Sequence, residues 1–354
     1  MLRLRARRRS AAHGRRAVLL AVALPAFGAC SRAAPVSPAG GQTVGPAAEP
    51  AGTVVVANQQ SASASLVTLP GGAAREVPVG VGPHEAAVGP DGGWAVVTVY
   101  GTQAEVGARL ALLDLASGAL VRHVALGEYT RPHGVVVLPG PGRRVAVTSE
   151  ASQRLLVVDL DRGAVDAAIP TGAAGSHMVA VTRDGTRAFT ANVPAGSVSE
   201  IDLVERRLVR QIPTAPVTEG IAVTPDGREV WAGSNQARTI TVVDTREGKA
   251  VATLTGVGVP YRIAIAPDGR TAAVADPEGN AVHLVDVAAR RVLGAVAGVG
   301  SPRGVSFSPD GRTLFATLGP EGAVAVIDPA SRTVRGRHAV GASPDGVAFA
   351  PAPR

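Results

Sequence analysis

The sequence predicts an all-β fold, a seven-bladed β-propeller made of four-stranded antiparallel blades. Three observations lead there. A local pattern recurs seven times, anchored at Pro83, Pro132, Ser176, Thr218, Pro260, Pro302 and Pro344, at intervals of 49, 44 and then four times 42 residues. Repeats of this period, each reading as short strands, form blades that bury their faces against one another. Apolar residues make up 46% of the chain and aromatics only 3%, with 43 Gly and 27 Pro spread along it. That composition fits many short Val- and Ala-rich strands joined by turns. Finally, the turns read VTRDGT, VTPDGR, IAPDGR and FSPDGR, and Asp-Gly between apolar runs is a hairpin signal because glycine accepts a positive φ.

Residues 1–30 read as an export signal. A basic run precedes AVLLAVALPAFGA, whose 13 residues are short for a permanent bilayer span. Arg15–Arg16 before Ala17-Val18-Leu19 resembles a twin-arginine export motif, with the general secretory route as the alternative. FGAC resembles a bacterial lipobox, with Phe27 where an aliphatic residue is usual. Cys30 is the only cysteine, so it has no disulfide partner. The resemblance implies cleavage before Cys30 and its acylation, which would put the protein at the periplasmic or outer face of the cell envelope on a lipid anchor. Residues 31–52, rich in Pro, Gly and Ala, read as a flexible tether.

The formal charge of +7 belongs to this leader: residues 1–32 carry eight arginines and no acid, leaving 27 basic against 28 acidic residues in the rest. Nucleic acid is therefore not an expected partner of the folded part.

Residues 53–354 are expected to be the propeller. Residues 53–80 supply only the later strands of a blade (TVVVAN, SLVTLP, REVPVG), and residues 341–354 supply only a first strand (PDGVAFAP). Joined, the two ends complete one blade and close the ring without leaving a free sheet edge. In the six intervening repeats, a first strand leads through the turn to a second, then to a third ending in Asp159, Asp202, Asp244, Asp286 or Asp328, then to a fourth. Those aspartates are expected to cap the following turn. The segment YGTQAEVGAR in the first whole blade is expected to be a loop. The closed ring is expected to be a monomer.

Phrases such as GIAVTPDGREVWAGSN and GVSFSPDGRTLFAT, each followed by a strand ending in Val-Asp or Ile-Asp, resemble the YVTN-type repeats of the YncE-like β-propeller family. AFTAN at Ala188–Asn192 comes nearest to the tetrapeptide that names the repeat, and the resemblance covers residues 53–350. It implies the propeller and leaves function open, because the family is defined by its scaffold.

In a propeller the first strands line a central channel, and the residue after each anchor should rim its mouth. Those residues are His84, His133, His177, Glu219, Tyr261, Arg303 and Asp345, all polar or ionisable and therefore the expected ligand-binding set. Scaffold alone also favours polar residues at a solvent-facing position. His84, His133 and His177 with Glu219 offer ligands for a divalent transition metal such as zinc, copper or iron. Tyr100, Glu150, Asn192 and Asn235 are expected on neighbouring loops, and Glu85 stands where most repeats have glycine. His123, His283 and His338 are expected on outer strands, at the surface.

The chain has no Cys-x-x-Cys-His, no phosphate-cradling glycine loop and no Gly-x-Ser-x-Gly elbow. The leading expectation is an exported, lipid-anchored module that binds a protein or small-molecule ligand through the channel mouth. The alternatives are a lactonase-like enzyme, with His133 or His177 as base, Glu219 as its partner and Arg303 as anion clamp, or a metal-binding accessory protein of a periplasmic redox system.

Overall fold

The structure is a computed structural model, and it describes residues 49–352. Twenty-eight strands form seven four-stranded sheets. The first whole blade comprises Pro83–Val88, Trp94–Gly101, Val106–Asp114 and Ala119–Ala125. Five more follow with the same order of strands, each pairing antiparallel with the next. The seventh blade takes its first strand, Pro344–Pro351, from the end of the chain and its other three from Gly52–Pro78. Gly52–Asn58 pairs with Pro344–Pro351 from Gly52↔Pro351 to Asn58↔Pro344. The shared blade and the count of seven are as the repeat predicts. Among the described residues no helix is long and apolar enough to cross a membrane. The leader, Cys30 and the tether up to residue 48 lie outside the described residues.

The core is distributed. Seven clusters of buried apolar side chains occupy the seven interfaces between neighbouring blades. Second and third strands are packed on both faces, which is why they read as unbroken apolar runs instead of alternating. Val and Ala suit this space because adjacent twisted sheets converge toward the axis. Five large aromatics, Trp94, Phe189, Trp231, Phe315 and Phe349, are buried in the interfaces between blades. Phe315 and Phe349 stack with centroids 5.0 Å apart across the interface that closes the ring.

The turns follow local chemistry. Gly185, Gly227, Gly269 and Gly311 have φ between 70° and 72°. The preceding aspartates each accept the backbone N–H two residues on, at 2.9–3.0 Å. Asp159, Asp202, Asp244, Asp286 and Asp328 cap the turns after the third strands by accepting N–H groups three residues on. The insertion YGTQAEVGAR departs from expectation. Strand pairing continues through it, from Val99↔Arg109 to Gly101↔Val106, and leaves only Thr102–Glu105 as a turn. Backbone pairing outweighed the weak apolar pattern of those residues.

First strands of neighbouring blades touch all the way round the axis, including Pro344–Pro351 against Pro83–Val88. Glycine two residues after the anchor permits this approach: a Cβ on Gly346 would lie 2.6 Å from the Glu85 Cα. Gly346→Ala should therefore cost about 1–3 kcal/mol through overpacking. Urea denaturation would show it as a lowered midpoint with an unchanged slope, and an unchanged midpoint would exclude this contact as a constraint.

Candidate functional site at the channel mouth

A device repeated in six blades aims the rim residues into the channel. The residue before the anchor is left-handed at Gly82, Arg131, Gly175, Val217, Ser301 and Ser343. The pairing of first and second strands then shifts register just after the anchor, the mark of a β-bulge. Four of the six left-handed residues are not glycine, and Val217 is β-branched, so the rim carries backbone strain that its surroundings must hold. Two threonines opposite the bulge help to do so. Thr148 Oγ1 accepts from Gly134 N at 2.8 Å and donates to the His177 carbonyl at 2.6 Å in the next blade. Thr317 does the same for Gly304 N and the Asp345 carbonyl, both at 2.7 Å.

The rim position is mostly withdrawn from solvent, which corrects the expectation of a solvent-facing ring. Asp345 and His133 are 0% and 1% exposed, and Glu219 is 9% exposed. His84, His133 and His177 do meet, as a tilted stack with ring planes 47° and 32° apart. The ring centroids are 4.6 Å apart between His84 and His133, and 3.7 Å between His133 and His177. Tyr100 lies 4.6 Å from His84 and presents its edge to His133. Metal binding by three imidazoles needs a nitrogen of each within about 2.0–2.1 Å of one point. Among the described residues no group of three or more His, Cys, Asp or Glu side chains is arranged to hold a metal ion.

Two polar networks flank the stack. On one side His84 Nδ1 lies 3.1 Å from Asp345 Oδ2, and Gln59 Nε2 donates to the same oxygen at 2.6 Å. Arg303 donates to Gln59 Oε1 at 3.3 Å. On the other side His177 Nε2 lies 3.2 Å from Glu219 Oε1 and His177 Nδ1 lies 3.5 Å from Glu150 Oε2. Asn235 donates to Glu219 Oε2.

Beneath the rim sits Arg262, which the rim register does not reveal. Its blade lacks both the bulge and the left-handed residue before the anchor; the first strand pairs evenly from Arg262↔Ala275. Arg262, the second residue after its anchor, reaches into the channel as Glu85 does from the same position of the first blade. Arg262 Nε and Nη2 lie 2.9 and 2.8 Å from Glu85 Oε1, and Nη1 donates to Glu219 Oε1 at 3.0 Å. Glu85 belongs to the first blade and Arg262 to the fifth, so this pair spans the channel. The signal was available: Glu85 and Arg262 both occupy the position that is glycine in four blades.

Other sequence assignments resolve differently. Asn192 is buried within its own blade, bonded to Ser176, Ser197 and Ser199, and does not reach the mouth. Of the outer histidines only His123 is exposed. His283, on a third strand, lies 3.2 Å from Asp276, and His338 lies 3.2 Å from Glu49. Both are half-buried because a carboxylate holds each against the sheet. Among the proposed catalytic residues, His177 and Glu219 are adjacent, His133 makes no ion pair among the described residues, and Arg303 belongs to the network on the far side of the stack. Gln59, on the loop after the strand Gly52–Asn58, was missed because the anchor spacing does not include it.

Electrostatics separates the histidines. Burial, reinforced by His177, His84 and Arg262, holds His133 well below the ordinary value and therefore neutral. Burial also opposes charge on His177, but its hydrogen bonds to Glu150 and Glu219 outweigh this and raise it. Burial works against the Glu219 carboxylate too, yet the His177 hydrogen bond and the Arg262 charge hold it low. Asp345 is likewise kept low against burial, by His84 and Arg262. Burial lifts Glu85, with Arg262 opposing. Burial and Glu150 push Tyr100 up to about 12. The mouth thus combines a neutral imidazole, an imidazole biased toward its cation, and ionised carboxylates. His133 Nδ1, Asn235 Oδ1 and Asp345 Oδ1 are buried there without a hydrogen-bond partner among the described residues, a cost that a bound polar group would offset.

No family model matches the chain, and no curated protein matches it. Solved structures with similar folds include the hydrazine synthase of Kuenenia stuttgartiensis, at 18% identity and TM-score 0.63 over 74% of this chain and 87% of that chain. A functionally unknown protein from Desulfotomaculum acetoxidans is similar at 14% identity and TM-score 0.72, over 85% of this chain and 99% of that one. At these identities the likeness concerns the fold, and the class defined is a seven-bladed β-propeller.

Two predictions follow from the buried charges. Arg262→Met should destabilise the fold by about 3–5 kcal/mol because it strands Glu85; adding Glu85→Leu should recover part of that loss in a denaturation cycle. For His133, whose folded value lies below the ordinary 6.5, the unfolded chain takes up a proton that the folded one refuses. Stability should therefore fall as pH drops below 6.5, by up to about 1.4 kcal/mol per pH unit, and His133→Phe should flatten that limb. His177 runs the other way, since its folded value is raised. Its contribution is full below 6.5 and lost as pH rises through the folded value, so His177→Gln should narrow the gap to wild type at higher pH.

Proposed function

We propose that the protein is an exported, lipid-anchored propeller of the YVTN-type, YncE-like kind that binds a ligand or protein partner through its channel mouth. The observation that carries this reading is the mouth itself: side chains from all seven blades converge there, and three of their buried polar atoms lack partners. A scaffold needs none of this, because the interfaces between blades already hold the ring together. Arg15–Arg16, the short apolar stretch and the lone Cys30 support export and acylation. Cys30→Ser should abolish incorporation of labelled fatty acid and release the protein from membranes; retained label would exclude the anchor.

Glu150→Gln and His84→Ala each remove one polar group from the mouth and leave the interblade clusters intact. Crosslinking of purified protein in an envelope fraction should yield a specific adduct that both variants lose while melting like the wild type. An adduct formed equally by both variants would exclude the mouth. One observation favours a second reading, a lactonase-like enzyme: the 3.2 Å contact of His177 with Glu219 could pass a proton to a leaving oxygen. Lactone hydrolysis lost in both His177→Gln and Glu219→Gln would favour it, and hydrolysis that survives both would remove it.

A further inference from the structure

Charge is divided unevenly around the mouth. Glu150 and Glu219 face His177, and Glu219 also meets Arg262, so that arc is internally compensated. Three carboxylates on the loops of this face are also engaged: Glu105 with Arg109, Glu278 with Arg238 and Glu321 with Arg337. Arg303 differs. It makes no close ion pair among the described residues, although its charge helps to keep Asp345 low, and it donates a hydrogen bond to the neutral Gln59. It lines a pocket of about 580 Å³ between the sixth and seventh blades, with Gln60, Ser301, Ser343 and Glu321. The volume suits a small metabolite. The pocket opens on the same face as the mouth and joins it through Arg303, Gln59 and His84.

We infer that this pocket binds a small oxyanion, a carboxylate or phosphate group, with Arg303 as its charge partner and the hydroxyls of Ser301 and Ser343 beside it. A planar guanidinium offers paired N–H donors that match such a group, and each charge-assisted bond exceeds a neutral one. Glu321, the acid in the lining, is already held by Arg337 Nε at 3.3 Å, which reduces its repulsion of an anion. Ser301 and Ser343 are both left-handed, with φ of 44° and 55°, so strained backbone forms this wall of the pocket. The inference rests on the reading of this face as a binding face and adds the chemistry of what it takes.

Calorimetric titration of the purified protein with citrate and with inorganic phosphate tests it. At least one should bind and release heat; Arg303→Gln should weaken that binding about tenfold or more, and Arg303→Lys should retain more of it than Arg303→Gln. Arg183→Gln is the control, since it removes the same charge from an exposed turn at the opposite end of the blades. Binding to citrate alone would identify a carboxylate, and binding to phosphate alone a phosphate. No binding of either, or equal weakening by Arg183→Gln and Arg303→Gln, would overturn the inference. Loss of the crosslinked adduct in Glu150→Gln and His84→Ala with no anion binding would leave the mouth standing and remove only this pocket.

Discussion

Everything at the mouth depends on closing the ring. The strand Pro344–Pro351 pairs with Gly52–Asn58, and the stacked Phe315 and Phe349 fill the interface beside that pairing. Without this closure two sheet edges would be exposed, and the first strand of the last blade would have no fixed place beside His84. Asp345 comes from that strand. Its contacts with His84 and Gln59 therefore exist only because the two ends of the folded chain share a blade.

Inside the closed ring, small departures from regular pairing decide which atoms meet. Six bulges turn the residue after each anchor toward the axis, and the Thr148 and Thr317 hydroxyls tie two of them to the next blade. The fifth blade omits the bulge, and its Arg262 crosses the channel to Glu85. A cation buried at this depth is tolerable only with its carboxylates in place. The pair therefore makes the base of the mouth rigid, and it holds Glu219 where His177 can reach it. Ionisation of the histidines is a consequence of the same packing: the ring between two others stays neutral, and the ring between two carboxylates is biased toward charge.

Much of the scaffold was legible because it repeats. Asp-Gly turns, terminal aspartates and unbroken apolar strands recur at fixed spacing, and each answers to a local rule. The anchor register also carried the seven rim residues, since residues at one register position share a place in every blade. What escaped was whatever broke the repeat. Arg262 replaces the glycine common at the position after the rim residue, Gln59 sits on a loop, and the long insertion continues its hairpin instead of looping out. Asn192 has the residue type of a binding loop, but neighbouring serines satisfy it inside the sheet.

Seven blades, a shared closing blade and a ring of ionisable side chains at one end were determined by the sequence itself, because periodicity and turn chemistry act over short distances along the chain. The tertiary structure decided that the three histidines meet as a tilted stack, that an arginine and a glutamate span the channel, and that Arg303 lines a pocket beside the mouth. Those outcomes depend on contacts between side chains of different blades, and the repeat brings the blades together without fixing how those side chains meet.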